Sequence, residues 1–266
     1  MGTPPAESMV EPTGGGAFPF GRPVLRRKPS AKSRRRVFVL GAYPGALHIA
    51  WWSPHRKAIR ALVVDNEPAA FWAAEDERKQ IDAWKTAVHF RVGEWGEVET
   101  SEANGKTGRW VDEHVLAPLG ITRDEVCFSY CVDTYYFTDP GVAFGVDERY
   151  QTFAREAGLP EARLAPRPSG GAFVELAVTT HRDRLLKELS VVVPELVVTL
   201  GGAPHRVLRA VAEVRGGGKL RPDASYGVEQ PLTVGGRKTR WMALCEPNPS
   251  AEHAEAHARW RQERSG

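Results

Sequence analysis

Short runs of consecutive apolar residues recur along the chain, and each is closed by residues that favour a turn. Such runs are typical of strands buried on both faces of a parallel sheet. The clearest one begins at Val37, behind a basic leader, and stops at Gly41. The pattern predicts strands over residues 37–40, 61–65, 125–132, 196–200 and 239–245, the last of them forming a hairpin with 232–234.

Between these runs, apolar residues recur at the three- and four-residue spacing of a helix that is buried on one side. This spacing predicts helices over residues 69–88, 110–119, 147–157, 180–189, 204–214 and 251–264. The polar, turn-rich segment 93–108 predicts a surface loop. Because strands alternate with helices, we predict an α/β fold, a three-layer α/β/α sandwich with a mainly parallel central sheet.

The first 33 residues are rich in Pro, Gly and Ser and have almost no apolar period, so they predict a disordered tail before one domain over residues 34–266. The formal net charge of the 266-residue chain is +3, but positive charge is concentrated before the first strand. The basic residues there are Arg22, Arg26, Arg27, Lys28, Lys32, Arg34, Arg35 and Arg36. Such a cluster holds phosphates by counterion release, whereas a solvated tail that keeps the protein soluble is the alternative.

Cysteine content and hydropathy bear on the compartment. The chain has three Cys residues, and an odd number does not suggest a disulfide scaffold. Cys127 and Cys131 are separated by about 13 Å along a predicted strand, too far for one disulfide or one metal ion. No apolar stretch approaches the roughly 18 residues of a membrane span, and the amino terminus lacks a signal-peptide core. We therefore predict a cytoplasmic protein.

Several motifs that would indicate a nucleotide or metal site do not occur in the sequence. The segment G-A-Y-P-G at 41–45 does not fit G-x-G-x-x-G, and neither a P-loop motif nor a G-x-S-x-G elbow is present. His253 and His257 have the spacing of two metal ligands on a helix, but no third ligand accompanies them. Dinucleotide binding, a P-loop, a hydrolase triad and a metal site are therefore not predicted.

Four segments resemble the uracil-DNA glycosylase superfamily in their order and spacing. They are G-A-Y-P-G at 41–45, N-E-P-A-A-F-W at 66–72, P-E-L-V-V-T-L-G at 194–201 and N-P-S at 248–250. Members carry a G-x-x-P-G or G-Q-D-P-Y loop, a P-x-[VI]-[VI]-x-L-G strand and a closing H-P-S or N-P-S loop. The mismatch-specific uracil/thymine branch, with N-P-S and an N-R-F-W segment, is similar at two of these places. The resemblance covers roughly residues 37–260.

The resemblance implies an enzyme that rotates a base out of DNA into a pocket and cuts its bond to the sugar. The residues that would form the pocket are Gly41, Ala42, Tyr43, Pro44, Gly45, Phe71, Ser129 and Tyr130. Phe71 would stack on the base, with a place in the apolar core as the alternative, and Trp72 is expected in the core. Neither cofactor nor metal is implied.

The closing N-P-S motif would act on the leaving base and on the DNA backbone. Asn248 would donate to the negative charge that develops on a pyrimidine carbonyl, with a turn residue between two prolines as the alternative. Ser250 and nearby backbone N–H groups would hold a phosphate. Relatives insert an apolar wedge after this motif; here His253 or Arg259 would take its place, or the substrate is single-stranded.

The chain departs from the superfamily at the group that activates water. Tyr43 stands where the first motif has a carboxylate or amide, and Ala42 stands where other branches have Glu; neither activates water as a carboxylate does at neutral pH. We assign this role to His48 or Asp133, with a structural role as the alternative for His48. Glu67 ranks beside Asp133 as a nearby carboxylate.

The sequence thus predicts a DNA-repair glycosylase that hydrolyses the N-glycosidic bond of uracil or a related deaminated or modified base. Ser129, Tyr130 and Cys131 replace the base-reading Asn of the superfamily, which leaves the excised base open. A relative that has lost the chemistry and binds damaged or single-stranded DNA, and an α/β enzyme acting on free nucleosides or nucleotides, are the alternatives. We expect a monomer whose partner is DNA, contacted also through Arg34 and Arg35, with no membrane contact.

Overall fold

The computed structural model describes residues 37–54, 58–137, 144–158, 167–214, 221 and 225–265. Within these residues, nine strands form two sheets. The strands are β1 (Val37–Gly41), β2 (Ala46–Trp52), β3 (Ala58–Asn66), β4 (Glu97–Glu99), β5 (Val126–Tyr130), β6 (Leu196–Leu200), β7 (Glu213–Val214), β8 (Gln230–Val234) and β9 (Arg237–Leu244). The predicted tail over residues 1–33 lies outside the described residues, as do Arg34 and Arg35.

The larger sheet is mixed and has the strand order β5-β1-β6-β9-β8-β7. The four strands β5, β1, β6 and β9 pair in parallel, whereas β8 pairs antiparallel with both β9 and β7. Val39 of β1 lies between Phe128 of β5 and Val198 of β6, so the run that begins at Val37 is a central strand, as predicted. The predicted α/β fold with mostly parallel strands is confirmed.

Helices pack on both faces of this sheet. Successive residues of a strand point to opposite faces, and the apolar clusters follow that alternation. Val39 belongs to a buried cluster that includes Trp260 of the last helix. Phe38 belongs to a second cluster, which includes Leu189 of another helix. A strand that is covered on both faces needs apolar residues at every position, and this requirement accounts for the uninterrupted run in β1.

The smaller sheet is antiparallel, with the order β3-β2-β4, and it was not predicted. No element was predicted for residues 46–52, but they form β2, whose Leu47, Ile49 and Trp51 are buried. The run at 61–65 is a strand as predicted, yet it belongs to β3 of this sheet and not to the central one. A third buried cluster packs on this sheet. Residues 61–65 belong to the smaller sheet because β3 pairs with β2. A local sequence pattern does not show which strands pair.

Most predicted helices are present, with shifted boundaries. The helical segments are Glu77–Ala87, Val92–Trp95, Lys106–Val111, Asp112–Leu116 (π-helical), Ala117–Leu119, Arg123–Glu125 (3₁₀), Val146–Tyr150 (π-helical), Gln151–Ala157, Gly170–Thr180, Arg182–Val192, Gly202–Val211 and Ala251–Ser265. The predicted helix start at residue 69 is wrong, because Phe71 and Ala74 have positive φ angles, which no α-helix accommodates. The predicted loop 93–108 contains β4. Among the described residues, no helix is both long enough and apolar enough to cross a membrane.

Candidate functional site

Three of the four motif segments lie at one edge of the central sheet. Because β1, β6 and β9 are parallel, the loops after Gly41, Leu200 and Leu244 leave from the same side. One strand, β6, separates β1 from β9, so their ends are about 10 Å apart. Segments 41–45 and 245–250 therefore share an edge, and open α/β sheets bind ligands at this edge.

Phe71 and Tyr130 form a stacked aromatic pair over the end of β1. Their ring centroids are 4.6 Å apart and their planes differ by 22°. Gly41 permits this approach, because a Cβ atom there would lie 2.6 Å from Phe71 Cζ and 2.8 Å from Tyr130 Cδ1. Phe71 is only 1% exposed and also contacts Phe128. The predicted stacking residue thus lies at the predicted loop, but Tyr130 covers its ring.

Glu67 places a buried carboxyl group between the first loop and this aromatic pair. Its backbone N–H donates to Gly45 O, and its Oε1 accepts the N–H of Phe71, each at 3.3 Å. The Tyr130 hydroxyl bonds the same carboxyl group and accepts the Phe71 N–H at 3.0 Å. Burial raises the pKa of Glu67 to about 7, although its hydrogen bonds oppose the rise. A carboxyl group that is partly ionised at neutral pH is suited to acid–base chemistry.

The first loop, residues 41–45, is hydrogen-bonded to the segment that follows β5. Gly41 O and Ala42 O accept the N–H groups of Cys131 and Val132 at 2.8 and 3.1 Å. The Tyr43 hydroxyl donates to Pro168 O at 2.8 Å. The Tyr43 ring packs against Tyr136 and Phe173, and burial raises its pKa. Tyr43 therefore remains a neutral packing group.

Pro44 and Gly45 complete the loop and lead directly into β2. Pro44 is buried, and Gly45 is partly exposed. A Cβ atom on Gly45 would lie 3.1 Å from Glu67 Oε2, so the absence of a side chain at Gly45 lets the carboxyl group approach the loop. The loop and Glu67 thus form one packed unit.

Ser129 and Tyr130, both predicted to bind the base, are neighbours on β5 but point to opposite faces of the sheet. Tyr130 packs on Phe71, whereas Ser129 Oγ donates to Glu188 Oε2 at 2.6 Å. Arg184 donates to Ser129 Oγ at 3.2 Å and to Glu188 Oε1 at 2.8 Å. The structure therefore groups Ser129 with a buried ionic network and not with the aromatic pair.

Asp133, one of the residues predicted to activate water, belongs to the same ionic network. Its Oδ2 lies 3.1 Å from Arg184 Nε, and its Oδ1 lies 3.6 Å from His181 Nδ1. Arg184 also donates to the carbonyl oxygens of Tyr130 and Cys131 at 2.7 and 3.0 Å. Arg184 thus fixes the end of β5, and nothing in the sequence pattern pointed to this role, because the two segments are 54 positions apart.

His48 lies on β2 and not on a loop. Its backbone N–H donates to Asn104 Oδ1 at 2.8 Å, and its backbone O accepts from Asn104 Nδ2 at 2.8 Å. The ring Nδ1 donates to Ala46 O at 3.0 Å. Burial lowers the pKa of His48, so the ring is neutral at neutral pH.

The closing loop is the exposed part of the site. Asn248 is exposed and has a φ angle of 64°, a left-handed conformation that Asn tolerates better than most residues. Ser250 precedes the last helix and accepts the Ala254 N–H on its carbonyl at 2.9 Å. Ser250 Oγ lies 2.8 Å from His253 Nδ1. These contacts leave the Asn248 amide at the protein surface, where a ligand can reach it.

His257 of the last helix is held between two indole rings. Its ring stacks on Trp110 and Trp260 at 5.4 and 5.3 Å. The Tyr226 hydroxyl bonds His257 Nδ1 at 2.6 Å and accepts the Cys245 N–H at 2.8 Å. This chain of contacts joins the last helix to the end of β9. Among the described residues, no three His, Cys, Asp or Glu side chains are grouped as metal ligands would be.

Comparison with known proteins adds no assignment to this geometry. No protein-family model matches the chain, and no curated protein matches it. The function is therefore inferred from the residues and their arrangement.

Proposed function

We propose that the protein is a DNA-repair N-glycosylase of the uracil-DNA glycosylase superfamily, with the three-layer α/β/α sandwich of that superfamily. The observation that carries the proposal is the position of Glu67. Its buried carboxyl group packs against Gly45 of the first loop, at the sheet edge from which the N-P-S loop also leaves. The order of the four motifs supports the same assignment.

Glu67 supplies the carboxylate that the first motif lacks at Tyr43. An N-glycosidic bond breaks with positive charge on the sugar and negative charge on the leaving base, so a carboxylate and an amide donor on opposite sides lower the barrier. Glu67 takes a proton from water or stabilises the sugar cation by its charge. Asn248, on the closing loop, donates to the base anion.

The other two candidates for water activation are less suited to it. Asp133 is held in an ion pair, with Oδ2 3.1 Å from Arg184 Nε. His48 has one ring nitrogen committed to Ala46 O at 3.0 Å, and Asn104 fixes its backbone within the smaller sheet. Glu67 has no cationic partner at hydrogen-bond distance among the described residues, and burial raises its pKa to about 7.

An excision assay tests the proposal. The full chain is incubated with single- and double-stranded oligonucleotides that contain uracil, hypoxanthine, xanthine or a mismatched thymine, and alkali-labile sites are measured. We expect cleavage of at least one substrate. Absence of cleavage on all of them, with salt-sensitive DNA binding retained, would exclude the enzyme.

Two substitutions test the assigned roles under single-turnover conditions. Asn248→Ala should lower the rate constant by about two to three orders of magnitude, as the loss of one preorganised donor does. Glu67→Gln should lower it by at least as much, because the side chain keeps its shape and loses its charge. Glu229→Gln, immediately before β8 and paired with Arg240, is the control and should leave the rate unchanged. An unchanged rate in Glu67→Gln would refute the role of Glu67.

A second candidate function is a DNA-binding relative without catalysis, and one observation favours it. Tyr130 covers the face of Phe71 on which a base would stack. If Tyr130 stays stacked on Phe71, the site recognises damaged or single-stranded DNA but cannot enclose a base. Binding without excision in the same assay would identify this function.

A further inference from the structure

Glu246 places a second carboxylate at the sheet edge that carries the motif loops. The residue follows β9 on the closing loop, two positions before Asn248, and it is exposed. Its carboxyl group lies over the end of the neighbouring strand β6, because a Cβ atom on Gly201 would be 3.0 Å from Glu246 Oε2. Since β6 lies between β1 and β9, the carboxyl group is in the middle of the edge, between the first loop and the closing loop. One strand spacing, about 5 Å, separates the end of β6 from that of β1.

Gly201 makes room for this carboxyl group at the end of β6. It has a φ angle of 94°, which residues with a side chain rarely adopt, and a side chain there would meet Glu246. Its N–H donates to Leu244 O at 2.8 Å, which joins the ends of β6 and β9. The helix Gly202–Val211 begins directly afterwards, and the positive end of a helix dipole favours a negative charge nearby. The approach of Glu246 to the middle of the edge therefore depends on Gly201.

The carboxyl groups of Glu246 and Glu67 differ in access. Glu67 is only 5% exposed, and its Oε1 accepts the Phe71 N–H, whereas Glu246 is open to solvent. In the part of the chain that the structure describes, no cationic side chain pairs with Glu246, so none there neutralises its charge. The preceding residue is fixed, since the Cys245 N–H donates to the Tyr226 hydroxyl at 2.8 Å. Glu246 is thus a charged group on a held backbone that a DNA strand can reach.

Resting on the proposed function, we infer that Glu246 faces the deoxyribose and that its negative charge stabilises the positive charge that develops on C1′. The C1′–N bond breaks with its electron pair on the base, which Asn248 holds. Water then forms the C1′–O bond and gives its proton to Glu67. Charge stabilisation and proton transfer are thereby assigned to two different carboxyl groups.

Two oligonucleotides test this role by binding alone. In one, a hydroxylated pyrrolidine ring with a positively charged nitrogen replaces one deoxyribose and its base. In the other, an uncharged tetrahydrofuran ring stands at the same position. Fluorescence anisotropy with the full chain gives the two Kd values. We expect the unmodified protein to bind the charged ring at least about tenfold more tightly, as a hydrogen bond to a charged group allows.

Substitution of Glu246 should remove this preference. In Glu246→Gln it should fall to about twofold or less, because the amide keeps the shape of the side chain and loses its charge. Glu252→Gln, exposed in the first turn of the last helix, removes the same charge and is the control that should keep the full preference. The ratio of the two Kd values cancels the effect that loss of any negative charge has on DNA binding. Urea unfolding should show that both variants are as stable as the unmodified protein, because both side chains are exposed.

Three results would overturn the inference. They are equal or absent binding of the two oligonucleotides by the unmodified protein, an undiminished preference in Glu246→Gln, and loss of the preference in Glu67→Gln alone, which would assign the charge stabilisation to Glu67. The measurement needs no excision activity. Excision without the preference refutes only the role of Glu246, whereas the preference without excision refutes only the enzyme.

Discussion

Glu67 shows how burial and charge oppose each other at a single residue. Its pKa rises from the ordinary 4.5 to about 7 because burial disfavours the ionised form. Its contribution to stability is fully present below pH 4.5, the pKa of the group in the unfolded chain. The contribution is lost as the pH rises through about 7, its pKa in the folded protein. Ionisation of Glu67 therefore lowers the stability of the fold, and pKa values raised by burial are common among functional carboxylates.

Replacement of Glu67 by Gln should change how stability depends on pH. The difference in free energy of unfolding, variant minus unmodified protein, should rise between pH 4.5 and about 7 by about 3 kcal/mol, and stay level above that. Urea unfolding at a series of pH values measures it. If the free energy of unfolding depended on pH in the same way for both proteins, the raised pKa of Glu67 would be refuted.

The close approach at Gly41 gives a second test at the same scale. In Gly41→Ala, the added methyl group would meet the Phe71 and Tyr130 rings at 2.6 and 2.8 Å, and overpacking of this kind costs about 1–3 kcal/mol. Gly93→Ala is the control, because nothing lies within 4 Å of a Cβ atom there. Denaturant unfolding should show a loss for the first variant only. Equal stabilities would mean that the aromatic pair moves aside at little cost.

At the scale of elements, the last helix is attached to β9 through a histidine that must remain neutral. Burial lowers the pKa of His257 from 6.5 to about 4, with Trp110 and Trp260 stacked on its two sides. Because the folded pKa lies below the unfolded one, this contribution to stability is present above pH 6.5 and declines as the pH falls towards 4.

The helix attachment is therefore expected to weaken in acid. In His257→Gln, stability should fall less between pH 6.5 and 4 than in the unmodified protein, since the variant has no group there to protonate. His253→Gln, four positions earlier on the same helix, serves as the control. Its stability should fall between pH 6.5 and 4 as much as that of the unmodified protein. Urea unfolding across this range compares the three proteins, and identical slopes for all would refute the prediction.

The elements also show where local patterns suffice. Strands β1, β5, β6 and β9 were predicted within one or two residues, because each contains a mainly apolar run that a turn closes. β2 is also mainly apolar, with Leu47, Ile49 and Trp51 buried, but no strand was predicted there because it directly follows the Pro44-Gly45 turn. Pairing with β3 on one side and β4 on the other turned that segment into the centre of a second sheet.

At the scale of the whole molecule, the basic leader joins the sheet at the amino-terminal end of β1, whereas the candidate site is at the carboxyl end. The strand of five residues spans about 13 Å between these ends. If the basic residues of the leader bind DNA, their contribution should act through charge.

Salt dependence measures that contribution. Replacing Arg34 and Arg35 by Ala should reduce the slope of log K against log salt by about 2 on duplex DNA, if each residue neutralises one phosphate. Replacing Arg237 and Lys238, which are exposed at the β8–β9 turn, removes the same charge and is the control. Equal slopes in all three proteins would assign the leader to solubility and not to DNA.

The sequence by itself determined the alternation of strands and helices and the strands β1, β5, β6 and β9, because apolar runs and the turn residues that close them are local signals. The tertiary structure alone decided which side chains meet. It brought Tyr130 onto Phe71 across 59 positions, turned Ser129 to the other face and paired Asp133 with Arg184. Such contacts depend on strand register and on packing between distant segments, and no local pattern encodes either.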